Sequence, residues 1–149
     1  MNKKILFIDD EPWFVDALVD ALRDEGYVVE QAEDGSQAMD MLEEYKLHGS
    51  IPDLIFLDVI MPTGDRIPGT DGGRRTGLKV HEFIRKDLKL VVPVILVTVV
   101  DDSRLEREIE TIEKYAGTKN CALLIKPVLP TELLEKVSAM LNLQLGEER

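Results

Sequence analysis

A single cysteine, a single tryptophan and a shortage of positive charge narrow the options before any motif is read. Cys121 has no partner for an intrachain disulfide, and neither Cys₄ nor Cys/His zinc spacing exists. Its neighbours Ala122, Leu123, Leu124 and Ile125 predict a buried structural thiol. Only 18 Lys and Arg stand against 29 Asp and Glu, for a net charge of −11. The basic footprint that a phosphate backbone demands is missing, so no direct nucleic-acid contact is expected. No apolar run approaches membrane-spanning length. The run at 5–8 is too short, and too quickly followed by acids, for a signal peptide. No membrane insertion is expected, and a cytoplasmic location follows by default. Neither His48 nor His81 has an acidic or cysteine cluster nearby in sequence, and each is expected on a helix surface.

What is present suits one domain. The 149 residues, 44% apolar and 32% charged, suffice to bury a core. Four short apolar runs, at 5–8, 54–57, 91–97 and 122–125, do not alternate with polar residues, which predicts strands covered on both faces of a parallel sheet. A weaker run at 27–29, followed by Glu30 and Gln31, reads as a strand nearer an edge. Helical periodicity fills the gaps. Phe14, Val15, Leu18, Val19 and Leu22 form one stripe behind Pro12. Ala38, Leu42 and Tyr45 mark a second helix opened near Asp34 or Ser36, and Val80, Phe83, Ile84 and Leu88 a third. Ser103 to Glu106 reads as a capping box before Leu105, Ile109 and Ile112, with the remaining charged residues of that helix, Glu113 among them, on a solvated face. A fifth helix follows Pro130. Strict strand–helix alternation with right-handed crossovers predicts a doubly wound α/β sandwich.

In such a sheet, ligands bind beyond the carboxyl ends of the strands. The first strand ends in Asp9-Asp10-Glu11, the third in Asp58, the fourth in Thr98 and the fifth in Lys126. Asp10 and Asp58 suit direct coordination of Mg²⁺, with Asp9 acting directly or through water. Three carboxylates this close repel one another, so without a cation some of their pKa values should rise. A carboxylate can accept a phosphoryl group as an acyl phosphate, and Lys126 and Thr98 can reach its oxygens as point charge and hydroxyl donor. Trp13 lies one step beyond the acids and is expected to pack, while Glu11 is equally a water-mediated metal contact or a favourable first-turn charge.

Asp9-Asp10-Glu11-Pro12, Phe56-Leu57-Asp58-Val59-Ile60-Met61-Pro62, Thr98 and Lys126-Pro127 together resemble bacterial two-component response regulator receiver domains, from about Lys3 to Leu141. The resemblance implies a flavodoxin-like five-stranded parallel sheet in the order 2-1-3-4-5. It makes Asp58 the phosphoacceptor, supplied by a sensor histidine kinase or phosphotransfer protein. Asp9, Asp10, Asp58 and the Ile60 backbone carbonyl would hold Mg²⁺, and Lys126–Pro127 would be cis. The implied output is a switched surface for a downstream protein target, and a homodimer is compatible with it. The expected organisation is a receiver over 1–142, a tail over 143–149 that frays from Gly146 to Arg149, and no output domain, either acting alone or cut from a longer chain. Two other readings compete: a Mg²⁺-dependent phosphohydrolase with an aspartyl nucleophile, and a non-phosphorylated receiver-like interaction module.

The sequence departs from the family in three places. Fourteen residues, 63–76, separate Pro62 from Gly77 where about three are usual, and they carry Arg66, Arg74 and Arg75 beside Asp65 and Asp71. That insertion is either a solvated excursion or a docking surface or partial lid. Val99 replaces the usual small residue after the hydroxyl. With Ile60 and Val100 it leaves no side chain there to orient an attacking water, which implies a long-lived phosphoryl group. Leu123 stands where many receivers carry a switch aromatic, so an aromatic rotamer swap cannot report the state of Thr98.

Overall fold

Five strands, β1 (Lys4–Ile8), β2 (Val28–Ala32), β3 (Leu54–Asp58), β4 (Val94–Thr98) and β5 (Cys121–Ile125), pair in parallel in the order β2-β1-β3-β4-β5. The computed structural model describes residues 2–67, 73–99 and 102–147. Helices α1 (Pro12–Asp24), α2 (Gly35–His48), α3 (Thr76–Glu82), α4 (Ser103–Ala116) and α5 (Pro130–Glu147) alternate with the strands, as the apolar runs and stripes predict. A π-helical turn, Phe83–Asp87, extends α3. Among the described residues, no helix is long and apolar enough to cross a membrane.

The continuous apolar runs have a direct cause. Successive strand side chains point to opposite faces, and both faces are covered. Leu6, Ile8, Ile55, Leu57 and Leu96 pack under α2, α3 and α4. Ile5, Phe7, Leu54, Phe56, Ile95 and Val97 pack under α1 and α5, with the Phe7 and Phe56 rings stacked 4.0 Å apart. Each such Leu or Ile contributes about 1.5–3 kcal/mol on burial, which makes the central strands the rigid base from which the loops project. The edge strand β5 is only half-buried, so its run overstates its cover. Cys121 lies on it, and burial pushes the thiol pKa up, leaving it protonated and inert.

Several expectations about individual residues are overturned. His81 is fully buried, and Glu113, placed on a solvated face, is 6% exposed; the two meet across the α3–α4 contact at 2.9 Å. Only His48 is a surface histidine, beside Glu44 on α2. Trp13 is 91% exposed because its position on α1 is opposite the stripe of Val15, Leu18, Val19 and Leu22. The N-cap of α4 is Asp102, which accepts from Arg104 N–H at 2.9 Å, so the capping box at Ser103 does not form. An ionised carboxylate one residue earlier is the better acceptor for the helix's free N–H groups. Helix α5 runs from Pro130 to Glu147. On α2, Asp34 is the cap, accepting from Gln37 N–H at 2.8 Å.

Gly77 controls how α3 meets the sheet edge. Its N–H donates to Val59 O at 2.9 Å, and an added Cβ would collide with the Asp58 carbonyl and lie 2.6 Å from Val59 Cα. Neither neighbour is a side-chain tip that can swing aside. Gly77→Ala should therefore push α3 off β3 at a cost of about 2 kcal/mol or more, lowering the melting temperature by about 5 °C. A melt within 1 °C of the parent would contradict this packing.

Candidate functional site

Parallel register sets the site. Ile8 lies beside Leu57 and Asp58 beside Val97, so Asp9, Asp58 and Thr98 emerge at neighbouring strand ends. Lys126 joins them because its N–H donates to Thr98 O at 2.8 Å immediately after β5, where the Lys126–Pro127 peptide is cis as expected. Asp9, Asp58 and Thr98 are each at most 3% exposed, whereas Asp10 faces solvent.

Carboxylate oxygens of Asp9, Asp10 and Asp58 lie within 4.8 Å of one another. The Lys126 ammonium is 3.1 Å from Asp58 Oδ2, 3.5 Å from Asp9 Oδ2 and 3.4 Å from Glu11 Oε1. The Glu11 N–H donates to Asp9 Oδ1 at 2.9 Å, and the Ile60 N–H reaches Asp58 Oδ1 at 3.3 Å. Asp9 Oδ2 is buried without a hydrogen bond, its ion pair with Lys126 being too long for one. Burial, then repulsion from Asp9, pushes the Asp58 carboxyl up to about 7 against the pull of Lys126. Asp9 is raised as well, chiefly by burial. Burial alone would lower Lys126, but Asp58 and Asp9 outweigh it and raise the ammonium.

These carboxylates exceed what one ammonium can neutralise. An under-bonded oxygen on Asp9 and a carboxyl on Asp58 pushed towards neutrality are the signs of an oxygen-rich site that fits a hard divalent cation. The expected acidic set is thus brought together with Lys126, and Thr98 closes the β4 side.

Two contributors escaped the sequence reading. The Phe14 ring lies 4.4 Å beneath the Lys126 ammonium and tilts against Phe56, holding the lysine towards Asp58. Glu11, weighed only as a metal contact or helix charge, pairs with the same ammonium. Both sit within the first turn around α1, where a stripe residue reads as core and an acid as a dipole partner.

The described parts of the 63–76 insertion are bonded to the body of the domain. Gly35 and Ser36 donate backbone N–H groups to Pro62 O and Thr63 O at 3.0 and 2.8 Å, and Arg66 N–H donates to Ser36 Oγ at 2.6 Å. The Arg66 guanidinium pairs with Asp40 at 2.8 Å and with Glu43, and Ile67 is buried in the core beneath. At the other end, Thr76 Oγ1 donates to Met61 O at 2.7 Å, and Arg75 pairs with Glu108 of α4. These stems are no solvated excursion; Asp71 lies outside the described residues. Ile60 and Val99 are exposed beside the site. Val100, the third apolar neighbour, also lies outside the described residues.

Residues 5–138 match the response regulator receiver domain family. Over 144 residues the chain is 34% identical to the alkaline phosphatase synthesis transcriptional regulatory protein PhoP of Bacillus subtilis, covering 95% of this chain and 50% of that protein. The chain spans about half the length of the curated relatives it matches. Among solved structures, a CheY-like receiver domain protein from Methanospirillum hungatei is 26% identical with a TM-score of 0.70, covering 99% of both chains. The chemotaxis response regulator CheY4 of Vibrio cholerae, 24% identical with a TM-score of 0.70 over 94% of this chain and 99% of that one, shares the fold.

Proposed function

The chain belongs to the response regulator receiver domain family of two-component signalling, and from that premise we propose that Asp58 is its phosphoacceptor, working with Mg²⁺. The observation that carries this reading is the buried Asp58 carboxylate held 3.1 Å from Lys126, with Asp9 and Asp10 alongside.

Asp9, Asp10, Asp58 and the Ile60 carbonyl would hold Mg²⁺, which when bound supplies the charge that offsets the carboxylates and the incoming phosphate. The chain's own residues divide the remaining work. An Asp58 oxygen forms the new bond to phosphorus as the donor's leaving group departs. The Lys126 ammonium, steadied by Phe14, stabilises one phosphoryl oxygen, and the Thr98 hydroxyl donates to another. Response regulators interact with histidine kinases or phosphotransfer proteins. Exposed Trp13, Ile60, Val99 and Leu129, on the segments that follow the strand ends, offer apolar contact to such a donor. Thr98 directly precedes the 99–102 segment leading into α4, so its shift toward the phosphoryl group biases that helix between two positions and alters a surface for a downstream protein.

Incubation with Mg²⁺ and acetyl phosphate should add one phosphoryl group per chain by intact mass, and none with EDTA. Repeated turnover of phosphate esters would favour the phosphohydrolase instead, and no uptake at all the non-phosphorylated interaction module.

A further inference from the structure

Beside Thr98 and Ile60, a cleft of about 380 Å³ opens between the end of the insertion and the start of α4. Val59, Ile60, Leu78 and Leu105 give it an apolar lining, to which Thr98 and Asp102 add polar groups, the Asp102 carboxylate accepting from Arg104 N–H at the start of α4. Three arginines line it: Arg74, Arg75 and Arg104. Arg75 and Arg104 both pair with Glu108. The Arg74 guanidinium is exposed and pairs with no carboxylate among the described residues. Arginine beside an apolar floor matches a carboxylate on a small organic body.

Building on the reading of Asp58 as phosphoacceptor, we propose that this cleft is a leaving-group subsite for small acyl phosphates, with Arg74 receiving the carboxylate that departs. The exchange balances without a proton. An Asp58 oxygen forms the new bond to phosphorus, the bond from phosphorus to the acyl oxygen breaks, and its electron pair leaves on the carboxylate. That anion gains charge as the bond breaks, so a guanidinium beside it favours the transition state over the bound donor. A donor that releases a neutral amine offers Arg74 nothing comparable.

The test compares two donors on the full chain with Mg²⁺: acetyl phosphate, which releases acetate, and phosphoramidate, which releases ammonia. Arg74→Ala should lower the ratio of the acetyl phosphate rate constant to the phosphoramidate rate constant by about tenfold, the worth of one charge-assisted hydrogen bond. Arg74→Lys should recover most of that ratio, and added salt should erode it in the parent. Because Arg74 is exposed, its truncation leaves the core intact. If both donors phosphorylate the parent and the ratio in Arg74→Ala stays within twofold, the subsite is wrong while Asp58 stands. If neither donor phosphorylates the parent, the reading of Asp58 falls and the subsite with it.

Discussion

Asp58→Asn should abolish phosphoryl uptake and, in metal-free buffer at neutral pH, raise the melting temperature. The first effect follows from the proposal that Asp58 is the phosphoacceptor. The second follows from the site's electrostatics. Folding lifts the Asp58 carboxyl from an ordinary 3.8 to about 7, with burial the largest cause and Asp9 the next. Below pH 4 the carboxyl is protonated in folded and unfolded chains alike, and it costs nothing. As pH rises from about 4 to 7, the unfolded chain ionises freely while the folded one holds its proton, so stability falls by roughly 4 kcal/mol at most. Asp9, also raised, acts in the same direction. An amide at position 58 carries no charge to bury and can still accept from Lys126. Mg²⁺ relieves the same repulsion, so it should restore the parent's stability at pH 7.5 and do far less for the variant. Thermal melts at pH 5 and 7.5, with EDTA or Mg²⁺, check all of this. A variant less stable than the parent at pH 7.5 in EDTA would mean that the acidic cluster is not strained.

That cluster was legible because each strand run stops abruptly at a residue of different chemistry: Ile8 at Asp9, Leu57 at Asp58, Val97 at Thr98 and Ile125 at Lys126. A strand buried on both faces admits no polar residue until it leaves the sheet, so the first such residue marks the edge. Strand order was not written in periodicity; it came from the resemblance of the motifs, and the pairings of β1 with both β2 and β3 bear it out. Trp13 was readable but misread, since the stripe on α1 already placed position 13 on the far side. The insertion was opaque for a different reason. Its stems are held by side-chain hydrogen bonds between Ser36 and Thr63 and between Thr76 and Met61, 27 and 15 positions apart, and no local pattern reports such contacts. Its one buried apolar side chain among the described residues, Ile67, has no periodic neighbours to betray it.

Glu113 was hidden in the same way, and replacing it should produce the largest loss of stability. Glu113→Ala should cost about 3–5 kcal/mol, the usual cost of breaking a buried ion pair, or about 10 °C or more in melting temperature for a chain of this size. Its carboxylate receives Arg85 Nε–H at 2.6 Å, a second Arg85 nitrogen at 3.3 Å, His81 Nε2 at 2.9 Å and Asn120 N–H at 2.9 Å. Despite its burial, these partners, His81 and Arg85 foremost, hold its carboxyl down to about 2. The stability it contributes is therefore present above about pH 4.5 and lost as pH falls towards 2, opposite in sign to Asp58 and in a lower window. A buried ion pair can often be exchanged for apolar residues at little cost, but Arg85 has further duties. It also donates to the carbonyls of Leu90 at 2.9 Å, Val92 at 2.7 Å and Asn120 at 3.1 Å, joining the segments before β4 and β5 to α4. Removing both partners as Arg85→Met with Glu113→Leu strands those carbonyls, at about 1–3 kcal/mol for each one that water cannot reach. The double variant should thus stay well below the parent. Recovery to within 2 °C would show that the pair is an isolated bridge. Persistent loss would show that the cation organises the loops on which β4, and hence Thr98, depends.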